Sequence, residues 1–288
     1  MISVFKREVR SYFNNMTGYA VLAGTLFLVA LYVYSTNFTS GYPNFEFALD
    51  ASTGFLFTLI IPLLTMKTFA EERKQKTDQL LLTSPLSVPQ VVLGKYFGTL
   101  AVFGIATAIM CIYPPVLSIM GNVNFKTAYS GILGLLFIAA ALCAVGMFIS
   151  SLTENPLISA VITVCVMLLL SSLGLIISYI PVSAKVNYII FTIIAVLVVL
   201  ALYALTKNFY IAAGFAVVSE GTLIVLFKLF PETLEGSVSK LLTNIALFDK
   251  MSTLVNGMLD IGTLVYYAGI AALFVFFTVL SVEKRRWN

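Results

Sequence analysis

The sequence contains no histidine, and only 10% of its residues are charged. The first absence removes the commonest general base and metal ligand. The second removes the polar surface that a soluble domain needs, since such domains carry about 25% charge. The three cysteines, Cys111, Cys143 and Cys165, lie inside apolar runs with no metal-ligand spacing. They read as small core hydrophobes, without redox chemistry. There is no His-Glu-x-x-His, no Gly-x-Ser-x-Gly elbow and no pair of intramembrane aspartates, which argues against an intramembrane enzyme. The net charge of +4 is too small to point to nucleic acid.

What the chain has is oil. Hydrophobic residues make up 60% of 288, more than one soluble core can bury, which predicts an all-α, polytopic membrane protein. A spanning helix needs about 20 mostly apolar residues. Eight stretches qualify: Gly18–Phe38, Gly54–Phe69, Val91–Met120, Ala128–Leu152, Leu157–Ile180, Tyr188–Leu205, Phe209–Phe230 and Gly262–Val282. Pro114-Pro115 should kink or break the outer end of the third. Only Thr206-Lys207-Asn208 separates the sixth from the seventh, so these form a tight hairpin. The first run is too long for a signal-peptide core and lacks a clear cleavage site.

Orientation follows the basic residues. With both termini inside, the inner side holds twelve: Lys6, Arg7, Arg10, Lys67, Arg73, Lys74, Lys76, Lys95, Lys207, Lys284, Arg285 and Arg286. The outer side holds five: Lys126, Lys185, Lys228, Lys240 and Lys250. Residues 1–14 place Ile2, Phe5, Val9, Tyr12 and Phe13 on one helical face, with Lys6, Arg7 and Arg10 largely off it. This predicts an amphipathic helix in the inner interface. The outer segment 231–261 reads as short helices resting on the outer leaflet. No stretch suits a soluble catalytic domain, so residues 1–288 read as one transmembrane domain.

The densest charge cluster falls between spans two and three, in AEERKQKTDQLLLTSPLSVPQVVLGKY. The helix of span two should run on into water, with Glu72 and Lys76 paired at i, i+4. Leu80, Leu81 and Leu82 follow, and Pro85 stops the helix. Ser87 is a plausible N-cap and Pro89 suits the next helix's first turn. Residues 70–90 thus form a helix, elbow and helix below the membrane. A loop anchored on lipid is the plain reading. The mixed sign of the charges and the leucine run favour docking to another protein.

This segment resembles the one joining the second and third spans of type-2 ABC exporter permeases, whose third helix opens on a Val-Leu-Gly-Lys-Tyr pattern. The chain end, with Asn256-Gly257, Asp260-Ile261, Tyr266-Tyr267 and Lys284-Arg285-Arg286-Trp287, is similar to the gliding-motility-type branch. The resemblance covers roughly 1–180 and 245–288, so the pair of spans at 188–230 looks like an addition to a six-span core. It implies a permease subunit of an ATP-binding-cassette exporter in a bacterial inner membrane. Its partners would be two copies of an ABC ATP-binding subunit, a second permease copy or paralogue, membrane lipid and an accessory extracytoplasmic protein. The elbow would be a coupling helix, with Glu71, Glu72, Arg73, Lys74, Leu80, Leu81, Thr83, Ser84 and Pro85 at the ATPase contact. The chain has no G-x-x-x-x-G-K-[ST] phosphate loop, so ATP and magnesium would be bound by that partner and no cofactor by this chain.

Glu220, mid-span in the seventh stretch, stands apart. An ionised carboxylate there costs about 2.5–3.5 kcal/mol on insertion scales. A protonated or hydrogen-bonded glutamate, paired with Lys228 or a neighbouring helix, is the plainer reading. A coupling site in an autonomous secondary transporter or channel is the alternative function. Glu154-Asn155-Pro156 reads as an inner turn, and small residues such as Gly131, Gly134, Ala140 and Ala144 as helix-packing positions.

Overall fold

Apolar runs of this length leave the backbone no partner but itself once water is excluded, and a helix satisfies every interior N–H and C=O locally. A computed structural model describes residues 1–39, 41, 43–77, 87–229, 234–255 and 260–286, and every regular element among them is helical. The helices are α1 Ile2–Asn14, α2 Thr17–Val33 (extended by a π turn, Tyr34–Phe38), α3 Phe45–Thr65, α4 Ala70–Lys74, α5 Val88–Met110, α6 Tyr113–Leu117 and α7 Phe125–Leu152. They continue as α8 Pro156–Tyr179, α9 Ala184–Thr206, α10 Phe209–Leu229, α11 Ser237–Ile245, α12 Met251–Val255 and α13 Ile261–Arg286.

Among the described residues, six helical stretches are long and apolar enough to cross a membrane: Thr17–Phe38, Phe45–Lys74, Val88–Leu117, Phe125–Leu152, Pro156–Tyr179 and Ile261–Arg285. Each overlaps one of the eight expected spans. The sixth and seventh expected spans are also helical, as α9 and α10. Two prolines act as expected: the third span breaks after Met110, and Pro114-Pro115 enter the separate short helix α6. Ser87 stands at the N-cap of α5 in extended conformation, and its backbone N–H donates to Gln90 Oε1 at 3.4 Å.

The chain divides into two compact units, Met1–Ser171 with Leu247–Asn288, and Ser172–Ala246. In the larger unit α7 is the central helix, packed by α3, α5, α12 and α13. Its small residues permit the close approach. A Cβ on Gly131 would lie 3.0 Å from Leu49 Cδ1, and one on Gly134 2.9 Å from Leu254 Cδ1. Ser130 Oγ donates to the Leu254 carbonyl at 2.9 Å, which pins α12 against α7. Asp260 opens α13 as an N-terminal cap. It accepts from the backbone N–H of Gly262 at 3.0 Å, and from the backbone and hydroxyl of Thr263 at 3.1 and 2.8 Å. The Thr263 hydroxyl and those N–H groups hold the Asp260 carboxyl below the usual carboxylate range.

In the smaller unit α9 and α10 form the hairpin expected from Thr206-Lys207-Asn208. Lys207 takes the left-handed conformation (φ 50°) that reverses the chain. Tyr188 and Phe227 stack across it with ring centroids 5.0 Å apart, and α11 packs on α9.

The N-terminal helix lies against α5 and α2. The expected apolar face stays partly open at Phe5, Val9 and Phe13, and the strip packed on the protein lies along its edge. Val4, Glu8 and Tyr12 are buried, whereas Ile2 is 71% exposed. The reason is on α5. A Cβ on Gly94 would come within 2.8 Å of Val4 Cβ, and one on Gly98 within 2.8 Å of Glu8 Cβ. Two glycines one turn apart form a groove that takes the i, i+4 ridge of α1. Gly98→Leu is expected to destabilise the detergent-solubilised protein by about 1–3 kcal/mol, an overpacking penalty. Gly104→Leu, whose Cβ would meet nothing within 4 Å, should leave the thermal midpoint unchanged. Equal shifts for the two variants would refute the packing account.

Candidate functional site

Where α3 ends, the backbone does not run on as a helix. A turn over residues 66–69 intervenes before the single-turn helix α4, and Lys76 then takes a left-handed conformation (φ 56°). The helical pattern expected beyond Phe69 is present over Ala70–Lys74, set off from α3 by that turn and ended at Lys76. The end of a helix exposes carbonyls with no partner in the chain's own spiral, and burying them demands other donors. Here three neighbouring helices supply them. Tyr12 of α1 donates its hydroxyl to the Leu64 carbonyl at 2.6 Å. Ser150 of α7 donates to the Met66 carbonyl at 3.2 Å and accepts from the backbone N–H groups of Phe69 and Ala70 at 3.2 and 3.1 Å. Lys95 of α5 donates to the Thr68 carbonyl at 2.7 Å. Burial pushes the Tyr12 phenol well above its ordinary range, so it stays a neutral donor.

Lys95 also carries the electrostatics. Its ammonium is 2.8 Å from Glu8 Oε1 and 2.9 Å from Glu72 Oε1, and its side chain is only 1% exposed. Glu8 and the Thr68 carbonyl accept hydrogen bonds from two of its three N–H donors, and Glu72 adds a close ion pair. The ring of Phe69 lies 5.1 Å from the ammonium. Arg7 reaches Glu72 Oε1 at 3.3 Å and Glu8 Oε1 at 3.6 Å. Two cations and two carboxylates thus balance in one partly dry cluster joining α1, α4 and α5.

A second clamp faces α7. Arg73 donates to the carbonyls of Ser151 and Thr153 at 3.4 and 2.8 Å and to Glu154 Oε1 at 3.2 Å. It thereby covers the last carbonyls of α7, where a cation is also favoured by the helix dipole. Beside the Lys95 cluster a polar cavity of about 280 Å³ opens between α1 and α4, bordered by Arg7, Ser11, Asn15, Lys67, Glu71 and Gln75.

Of the expected docking residues, Glu71, Glu72, Arg73 and Lys74 all fall on α4. Their roles divide. Glu72 pairs with Lys95 and Arg7 and not with the expected Lys76. Arg73 is turned to α7 and Glu154, while Glu71 stays at the rim, 3.9 Å from Lys67. Leu80, Leu81, Thr83, Ser84 and Pro85 lie outside the described residues. Sequence reasoning missed Glu8 and Lys95 as partners. The available signal was a charge set within apolar sequence, Val-Leu-Gly-Lys-Tyr-Phe, which cannot stay buried without a counter-charge.

Glu220 lies on α10, with Oε1 buried and without a hydrogen-bond partner among the described residues. The pairing with Lys228 is not formed there. Thr192 Oγ1, on the facing helix α9, is likewise buried and unpartnered.

Residues 47–206, more than half of the chain, match the family model described as ABC-2 family transporter protein. No curated protein matches. The matched stretch holds α4, Lys95 and the Arg73–Glu154 clamp, while α1 and Glu220 fall outside it.

Removing one partner of a buried ion pair leaves the others uncompensated. Lys95→Met should lower stability by about 3–5 kcal/mol, measured by thermal or denaturant unfolding in detergent. Adding Glu8→Gln and Glu72→Gln should recover part of that loss. Additive losses across the three substitutions would show that the cluster does not act as a unit.

Proposed function

Since the chain belongs to the ABC-2 family of transporter proteins, we propose that it is the permease subunit of an ATP-driven exporter, worked by a separate ATP-binding subunit. In this reading α9 and α10 complete eight spans, both termini lie in the cytoplasm of a bacterial cell, and α1 rests in the inner interface. The whole chain acts as one permease domain. Two ATP-binding subunits serve a pair of permeases, a second copy or a paralogue, with an accessory protein outside. Those subunits bind the ATP and magnesium. In this reading the permease belongs to the gliding-motility-type branch, which the motifs of its chain end resemble.

The observation that carries the proposal is the clamping of α4. Closure of a pair of ATPase subunits must push on something stiff, and a rigid-body shift needs an element fastened to more than one span. Through Lys95 and Tyr12 the exit of α3 is tied to α1 and α5, and through Ser150 and Arg73 to α7. A push on the segment from Glu71 to Pro85 would therefore move four helices together. Glu71 and Lys74, at the rim, suit the docking face. Glu72 and Arg73 transmit load inward.

One observation favours the alternative, an autonomous transporter or channel. It is the Oε1 of Glu220, a buried carboxylate oxygen on α10 without a hydrogen-bond partner among the described residues. Glu220→Gln separates the two. Under the permease reading ATP-dependent transport stays within about twofold of the wild type. Loss of transport with partner binding intact would move the coupling site to the hairpin.

The docking itself is tested at Leu81. A photo-crosslinkable residue placed there in the native membrane should capture a protein that carries a phosphate loop. Leu81→Asp should weaken retention of that protein about tenfold or more, with insertion unchanged. Capture of lipid alone by a correctly inserted chain would remove the elbow as the docking site.

A further inference from the structure

At the end of the larger unit that carries the Arg73–Glu154 clamp, a second cavity opens between the C-terminal turns of α7 and α13. It measures about 510 Å³ and is lined by Phe148, Leu152, Phe277, Leu280, Ser281, Lys284 and Arg285. Its two halves differ in chemistry. The floor is hydrocarbon and aromatic, with the rings of Phe148 and Phe277 5.9 Å apart. The rim holds a lysine, an arginine and a serine hydroxyl, and no carboxylate lines the cavity. Leu152, Phe277 and Leu280 remain 53%, 39% and 45% exposed, so the floor is open from the side.

We propose that this cavity binds an anionic phospholipid of the inner leaflet. An apolar floor beside two cations at the end of a spanning helix matches a lipid along its length. The acyl chain covers Phe277 and Leu280. The phosphate sits at Lys284 and Arg285, the two cations on the rim. Free phosphate would leave the apolar floor in contact with water, and a zwitterionic lipid would set its own ammonium against the basic rim. The nearest carboxylate of α7's end, Glu154, is held by Arg73 and does not compete for the rim. The site joins the two helices most closely packed in the unit, one of which, α7, also holds Ser150 and the carbonyls bound by Arg73. Lipid occupancy there bears directly on the helix that α4 is fastened to. The inference rests on α7 and α13 crossing the membrane and not on the ATP-binding partner.

The chain provides its own reporter. Trp287 is its single tryptophan and follows Arg285 by two positions. The full-length protein is reconstituted into phosphatidylcholine vesicles, and a minor fraction is replaced by phosphatidylglycerol or phosphatidylcholine brominated near the glycerol end of the acyl chains. Brominated phosphatidylglycerol should quench Trp287 with a relative affinity on the order of tenfold above brominated phosphatidylcholine. Lys284→Gln should reduce that preference, and Lys284→Gln with Arg285→Gln should abolish it. Lys6→Gln with Arg10→Gln, which removes two exposed charges from α1, should leave it intact. Equal quenching by the two lipids in the wild type would overturn the proposal, as would an equal loss of preference in the α1 variant, which would mean diffuse attraction. Either result would leave docking at Leu81 untouched, so a failure here is distinguishable from a failure of the permease reading.

Discussion

One ammonium group organises the end of the larger unit where α1, α4 and α5 meet. Lys95 is buried on a span, and a charge in that position is unfavourable by several kcal/mol unless its hydrogens are all met and its charge offset. Glu8, Glu72 and the Thr68 carbonyl meet those conditions, and they come from three separate stretches of chain. The requirement is what places α1 against α5, holds α4 close to the membrane end of α3, and allows that helix to stop short with its carbonyls satisfied. Remove the ammonium, and two carboxylates and an unmatched carbonyl are left facing one another.

The clamps also explain how a helix of only five residues holds its place. An isolated single turn has no stability of its own, because nucleating a helix fixes several residues for each hydrogen bond gained. Here α4 is stable because its side chains are anchored on both flanks, Glu72 toward α5 and Arg73 toward α7. Alternating the anchored side chains along one turn gives the segment two faces of attachment and leaves Glu71 and Lys74 for the water side.

The spans were legible because hydropathy over twenty residues is a strong signal, and the break at Pro114-Pro115 because a proline ring removes a donor wherever it stands. The strip of α1 that packs on protein was not. In a chain of this composition a residue facing lipid and one facing protein are both apolar, so the face of Ile2, Phe5, Val9, Tyr12 and Phe13 did not show that Val4 and Glu8 would pack on a neighbour. What decided the face was the absence of side chains at Gly94 and Gly98, ninety residues away in the sequence. Glu72 was read as a local partner for Lys76 because i, i+4 pairing is the only pairing a sequence displays. Its true partner is on another helix. Glu220 was visible as an oddity from the start, and the structure sharpens it to a single unpartnered oxygen in the α9–α10 hairpin. The docking residues from Leu80 to Pro85 were read from the sequence and rest on it alone.

The glycine groove has a consequence for how the protein comes into being. Glu8 leaves the ribosome before Lys95, which is 87 residues behind it. At about 5–20 residues per second, that gap is on the order of ten seconds. Through that interval the first helix has neither its groove nor its counter-charge, and its carboxylate must stay with water or lipid headgroups while two spans are threaded past it. The helix α1 is therefore among the later segments of its half to reach its final place, and the arrival of a single lysine closes the structure around it.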